Sequence, residues 1–108
     1  MKIMLATSEP TLESAIADRF ARAPYFLIYD TESKKFEPIS NNADMAHGMG
    51  PKAVQIAIDN GAEVLISALP GRNAMEALKS AEIAVYDGRG LKASEAIEKF
   101  ESGELKRV

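Results

Sequence analysis

The stretch Pro51–Tyr86, PKAVQIAIDNGAEVLISALPGRNAMEALKSAEIAVY, decides the fold. Ala53, Val54, Ala57 and Ile58 recur at helical spacing, with Lys52, Gln55 and Asp59 on the other side. Gly61 supplies the left-handed stop. Glu63 to Ser67 is then a short, almost uninterrupted apolar run, the pattern of a strand buried on both faces. The cycle repeats. Ala68 to Asn73 is a loop, and Asn73 is a good N-cap. Ala74, Ala77, Leu78 and Ala81, with Met75 beside them, form the inner face of a second helix, and Ile83 to Tyr86 is another buried strand. Helices alternating with buried strands predict parallel pairing through right-handed crossovers.

Outward from this core, Ile3 to Ala6 reads as a central strand, ended by the turn residues Thr7 to Pro10. Leu12, Ile16 and Phe20 recur at spacing four, which predicts a short helix or helical turn with Arg19 and Arg22 on one side. Tyr25 to Asp30 is aromatic and β-branched, and the polar turn Thr31 to Lys34 joins it to Lys35–Ser40 as an antiparallel hairpin. Pro38 places the second of these strands at an edge, because proline cannot donate to a central ladder. Beyond Tyr86, Asp87–Gly90 is a turn, and Ala93, Ala96, Ile97 and Phe100 mark a last helix that ends at Gly103. The expected architecture is α/β, a three-layer α/β/α arrangement of a mixed five-stranded sheet with helices on both faces. The whole chain, 1–108, is expected to be one domain.

Composition narrows the function. The formal charge is −3, from 13 basic and 16 acidic residues, which argues against a nucleic-acid binder relying on a dominant basic face. There is no cysteine, so disulfides, thiolate nucleophiles and cysteine-ligated zinc or iron–sulfur sites within this chain are excluded. The apolar run at the N-terminus is too short for a signal peptide, and no stretch reaches the ~20 apolar residues of a membrane span. The expected location is cytoplasmic, with no membrane partner.

The candidate site lies beyond the carboxyl ends of the parallel strands, where sheets of this kind bind ligands. Ser8 sits in the turn after the first strand, and Gly71, Arg72 and Asn73 in the loop before the second predicted helix of the quoted stretch. Ala46–Pro51 holds the only histidine, His47, between residues that allow tight turns, Gly48 and Gly50, and feeds a helix whose first turn accepts Pro51. His47 is either a solvated loop residue or a metal ligand or cofactor contact; alone it cannot close a metal site. Arg19, Arg22, Arg72 and Arg89 are either ordinary surface cations or, gathered at one end of the sheet, a positive basin in an acidic protein. Helix N-termini near Lys52 and Asn73 add partial positive charge suited to an anion. Carboxylate catalysis is disfavoured, since the first strand offers no acidic side chain for a two-metal site.

These segments, in this order, resemble the dinitrogenase iron-molybdenum cofactor biosynthesis family, the NifX/NafY-type domain. The likeness rests on Asp18–Phe26 (DRFARAPYF), His47–Pro51 (HGMGP), Gly71–Leu78 (GRNAMEAL) and the ending Ser102–Lys106 (SGELK). The resemblance implies a ribonuclease-H-like fold without nuclease activity. It also implies non-covalent binding of an iron- and/or molybdenum–sulfur cluster or its precursor. Carried over position by position, it points to Phe20, Arg22, Ala23 and Phe26, to His47, Gly48, Gly50 and Pro51, and to Gly71, Arg72 and Asn73. Three positions depart from the family pattern: Ala21 and Arg72 replace a usual glycine and proline, and Glu82 stands where a glycine usually stops the helix.

The expected function is therefore non-catalytic storage or delivery of an anionic metal–sulfur cofactor or precursor. Ser8, Arg19, Arg22, His47, Gly48, Gly50, Gly71, Arg72 and Asn73 are the binding residues, and His47 is the candidate metal ligand. An acceptor or scaffold protein is the expected partner. The alternative is a regulatory or interaction domain that binds a small anion or a protein and carries no cluster.

Overall fold

A computed structural model of the chain describes residues 1–41 and 49–108. Strands β1 (Lys2–Thr7), β2 (Tyr25–Asp30) and β3 (Phe36–Ser40) come first. They are followed by α1 (Met49–Asp59), β4 (Val64–Ser67), α2 (Arg72–Ser80), β5 (Ala84–Asp87), α3 (Ala93–Glu101) and β6 (Lys106–Arg107). One sheet runs in the order β3-β2-β1-β4-β5-β6. β1 pairs parallel with β4, and β4 with β5; the other neighbours are antiparallel. The expected hairpin, the edge position of Pro38 and the parallel core are all present, in a three-layer ribonuclease-H-like arrangement. Among the described residues the sheet has six strands rather than five. The sixth, β6, is two exposed residues long, too short and too polar to leave an alternating pattern in the sequence.

The period of two in β1 divides the core. Met4 and Ala6 face a cluster with Phe26, Leu65, Val85, Ala53, Val54, Ala57 and Leu78, which binds α1 and α2 to one face. Ile3 and Leu5 face Leu27, Ile66, Ala93, Ala96 and Ile97, which binds α3 to the other. Full burial of a side chain such as Leu78 or Leu65 stabilises by about 1.5–3 kcal/mol.

The helix expected over Leu12–Phe20 does not form. Ile16 packs with the α3 cluster and Phe20 with the α1–α2 cluster, so the segment passes over the end of the sheet from one face to the other. Its backbone groups find distant partners instead of helical ones. Ile16 N donates to Leu91 O (2.9 Å), Ala17 N to Ala6 O (2.9 Å), and Ala93 N to Ser14 O (2.8 Å). Spacing four arises here from alternate anchoring on two faces. Two inner-face assignments also change: Ile58 on α1 is 46% exposed, and Ala77 on α2 is exposed.

Helices α1, α2 and α3 end in the same hydrogen-bonded motif, in which the residue after the cap takes a left-handed conformation. At α1 that residue is Gly61 (φ 68°), with Gly61 N bonded to Ile58 O and Ala62 N to Ala57 O. At α3 it is Gly103 (φ 79°), with Glu104 N bonded to Lys99 O. At α2 it is Glu82 (φ 60°), with Glu82 N bonded to Lys79 O and Ile83 N to Leu78 O. A side chain in this conformation costs about 1–2 kcal/mol, while glycine's extra freedom in the unfolded chain costs about 0.5–1 kcal/mol. Glu82→Gly is therefore expected to stabilise the fold by up to about 1 kcal/mol. Chemical denaturation tests this; a loss of stability on making the glycine contradicts it.

Candidate functional site

The crossovers β3–α1–β4 and β4–α2–β5 put α1 and α2 side by side on one face, with both N-termini at the carboxyl end of the parallel strands. Between them opens a groove of about 1160 Å³. Its mouth is formed by the loop carrying Asp18, Arg19 and Arg22, by Pro51 in the first turn of α1, and by Gly71, Arg72 and Asn73. Further along, Val54 and Ile58 of α1 face Ala77 and Ala81 of α2, and Leu69 adds a wall that is itself 48% exposed. The sequence reading missed these apolar wall residues. The signal was present, because apolar positions on α1 and α2 form stripes wider than the sheet alone covers.

The start of α2 differs from expectation in a way that affects chemistry. Asn73 is not the N-cap. The helix begins one residue earlier, with Gly71 at the cap position (φ −66°, ψ 167°) and no side-chain capping bond. The first helical hydrogen bond runs from Met75 N to Gly71 O (2.9 Å). The N–H groups of Arg72, Asn73 and Ala74 precede it and have no acceptor within the helix. Neither α1 nor α2 carries an acidic residue in its first turn, so no carboxylate of the helix itself occupies that positive end.

Among the described residues, the charges lining the groove are three arginines (Arg19, Arg22, Arg72) against one aspartate (Asp18), a local balance of +2 in a chain of net −3. Arg72 approaches Glu76 only loosely, at 3.9 Å between two well-exposed side chains, a contact worth little in water. Phe20 and Ala23, both buried, anchor the loop on either side of Arg22.

Of the expected site residues, Arg19, Arg22, Gly71, Arg72 and Asn73 meet in this groove. Gly50 lies in the first turn of α1, next to the lining residue Pro51. His47 and Gly48 fall outside the described residues. Ser8 stands apart from the groove lining; it is exposed, and its N–H bonds to Ala15 O at 3.2 Å. Arg89 also leaves the expected basin. Its guanidinium grips Asp87 through Nε–Oδ1 (3.1 Å) and Nη2–Oδ2 (2.9 Å), and its backbone N–H adds a third bond. Among the described residues, no three His, Cys, Asp or Glu side chains converge as a metal site, and no helix is long and apolar enough to cross a membrane.

Fold and groove together define a small α/β domain with an open groove, cationic at its mouth, on one face of the sheet. The family described as dinitrogenase iron-molybdenum cofactor matches residues 1–103, and the chain belongs to that family. Among solved structures, it is similar to a Thermotoga protein provisionally named NifB and placed in the DUF35 family. That match has 44% identity and a TM-score of 0.86, over 98% of this chain and 91% of that one. It is also similar to the apo form of the orange protein of Desulfovibrio gigas, at 29% identity and a TM-score of 0.93, over 99% and 92% of the two chains. A Methanocaldococcus jannaschii protein provisionally named a dinitrogenase shares the fold at 19% identity (TM-score 0.77, over 100% and 94%). No functionally curated protein matches the chain.

The Arg89–Asp87 pair gives a pH prediction. Hydrogen bonds from the Arg89 side chain, followed by its backbone N–H and charge, hold the Asp87 carboxyl below its ordinary value of 3.8 despite partial burial. The folded value lies below the unfolded one, so the pair's contribution is present above the ordinary carboxylate range and is lost as pH falls through the folded value. Arg89→Gln is expected to make stability fall less steeply on acidification below about pH 4. Denaturation curves across pH 2–6 (about the carboxylate range) check this; parallel profiles for the two proteins contradict it.

Proposed function

We propose that this chain is a non-catalytic carrier that binds an anionic iron- and/or molybdenum–sulfur cofactor or precursor and delivers it to an acceptor protein. One observation carries the reading: Arg19, Arg22 and Arg72 meet the uncapped start of α2 at the mouth of one groove. A charged guanidinium and helical N–H groups with no acceptor inside the helix together favour a multiply charged anion. Membership of the cofactor family supplies the metal–sulfur class. The apo form known for the orange protein supports a ligand-binding role among its structural neighbours.

The donor set suits a preformed cluster better than a bare ion. Without cysteine, the chain offers no thiolate for ligation. The cargo is then held by outer contacts, namely charge, N–H donors and apolar walls, and His47 contributes a ligand or a hydrogen bond. Contacts of this kind break without ligand exchange, which suits transfer. A partner protein with no metal is the second reading, favoured by the exposed Ile58 and Leu69 along the same groove.

The test is anaerobic titration with tetrathiomolybdate and with iron sulfide, followed by metal analysis and absorbance. Stoichiometric uptake with a charge-transfer band is expected. Arg19→Gln combined with Arg72→Gln is expected to weaken uptake by about tenfold or more, and added salt weakens it further. His47→Ala is also expected to lower affinity, and an unchanged titration removes His47 from the site. A protein that rejects every metal–sulfur species but holds phosphate or a partner protein supports the second reading.

A further inference from the structure

Asn41 stands at the end of β3, outside the groove, and is 7% exposed. Its carboxamide nitrogen donates one bond to Ala23 O (2.8 Å) and another to Ala21 O (3.1 Å). Its backbone N–H donates a third to Pro24 O (2.9 Å). Three donors of one residue thus hold three carbonyls within the four residues Ala21–Pro24, about twenty positions earlier in the chain. The two carbonyls taken by the side chain belong to the residues on either side of Arg22.

We infer that Asn41 is a positioning residue that sets where Arg22 stands at the groove mouth; its bearing on cargo rests on the function proposed above. The chemistry asks for asparagine. Two carbonyl oxygens close to one point need two N–H donors, and a carboxamide nitrogen supplies both from a short, rigid stem. An aspartate carboxylate would present only acceptors to two acceptors at a buried site, and serine could satisfy one at most. The rest of the loop cannot do this alone. Pro24 has no N–H, and the loop's own turn contact, from Ala23 N to Phe20 O, is long at 3.4 Å. Phe20 and Ala23 fix the loop to the core, while Asn41 holds the carbonyls of the residues before and after Arg22, Ala21 and Ala23.

Three measurements test this. In the wild-type protein, the two carboxamide protons of Asn41 should exchange with solvent far more slowly than those of the exposed Asn73; equal rates overturn the tether. Under native conditions, Asn41→Ala should speed tryptic cleavage after Arg22 about tenfold, with cleavage after Lys34 in the hairpin turn unchanged as the internal control. Asn41→Ser serves if the alanine variant fails to fold. A rise at both sites alike marks a merely structural residue and overturns the inference. The third measurement is a double-mutant cycle with tetrathiomolybdate as probe. Asn41→Ala should weaken binding several-fold in the wild-type background and not at all in an Arg22→Gln background. Losses that multiply overturn the inference. If wild-type protein does not bind the probe while the exchange and cleavage results hold, the carrier reading falls and the tether stands.

Discussion

From Ile3 to Thr7 the first strand is closed to water on both faces, and it is paired antiparallel on one side and parallel on the other. That single constraint sets most of the architecture. To place β4 parallel beside β1, and β5 beside β4, the chain makes two crossovers, from β3 through α1 and from β4 through α2, and a common hand puts both helices on one face. The other face must then be covered by α3. Two neighbouring crossover helices necessarily open their N-termini at the same edge, where the loop after β1 also lies. The groove is thus a consequence of how the central strand is buried. Its apolar walls are the parts of the α1 and α2 stripes that the sheet leaves uncovered.

The sequence made the parallel core legible because each element there has a clean local signature. Gly61 closes α1, β4 is apolar up to its last residue, and Pro38 points to an edge. The segment from Ser8 to Pro24 was not legible, since its order comes from contacts remote in the chain. Ile16 bonds to Leu91 and Ala17 to Ala6, and neither bond leaves a periodic trace. The site was legible in part. Topology alone could place Gly71–Asn73 at one end of the sheet, whereas Arg19 and Arg22 were singled out by their position beside loops and by the family resemblance. That Arg89 turns onto Asp87 instead, and that α2 starts at Arg72 without a side-chain cap, depended on local geometry that residue type does not specify.

Glu82 and Arg72, at opposite ends of α2, have different consequences. Glu82 takes a left-handed conformation at a helix end, a matter of local stability. Arg72 adds a charge at the groove mouth, beside N–H groups already suited to an anion. The same groove combines this cationic mouth with apolar walls. An anion placed there is screened less by water than on an open surface, so each contact with the cationic mouth is stronger.

The most direct test of the central claim, that the groove mouth receives an anionic metal–sulfur species, is amide chemical-shift mapping during an anaerobic titration with tetrathiomolybdate. Saturable shifts are predicted at Arg72, Asn73 and Ala74 and across Arg19–Arg22, with the amides of α3 on the opposite face unmoved. Saturable shifts centred on α3 or β3, with the start of α2 silent, would contradict it.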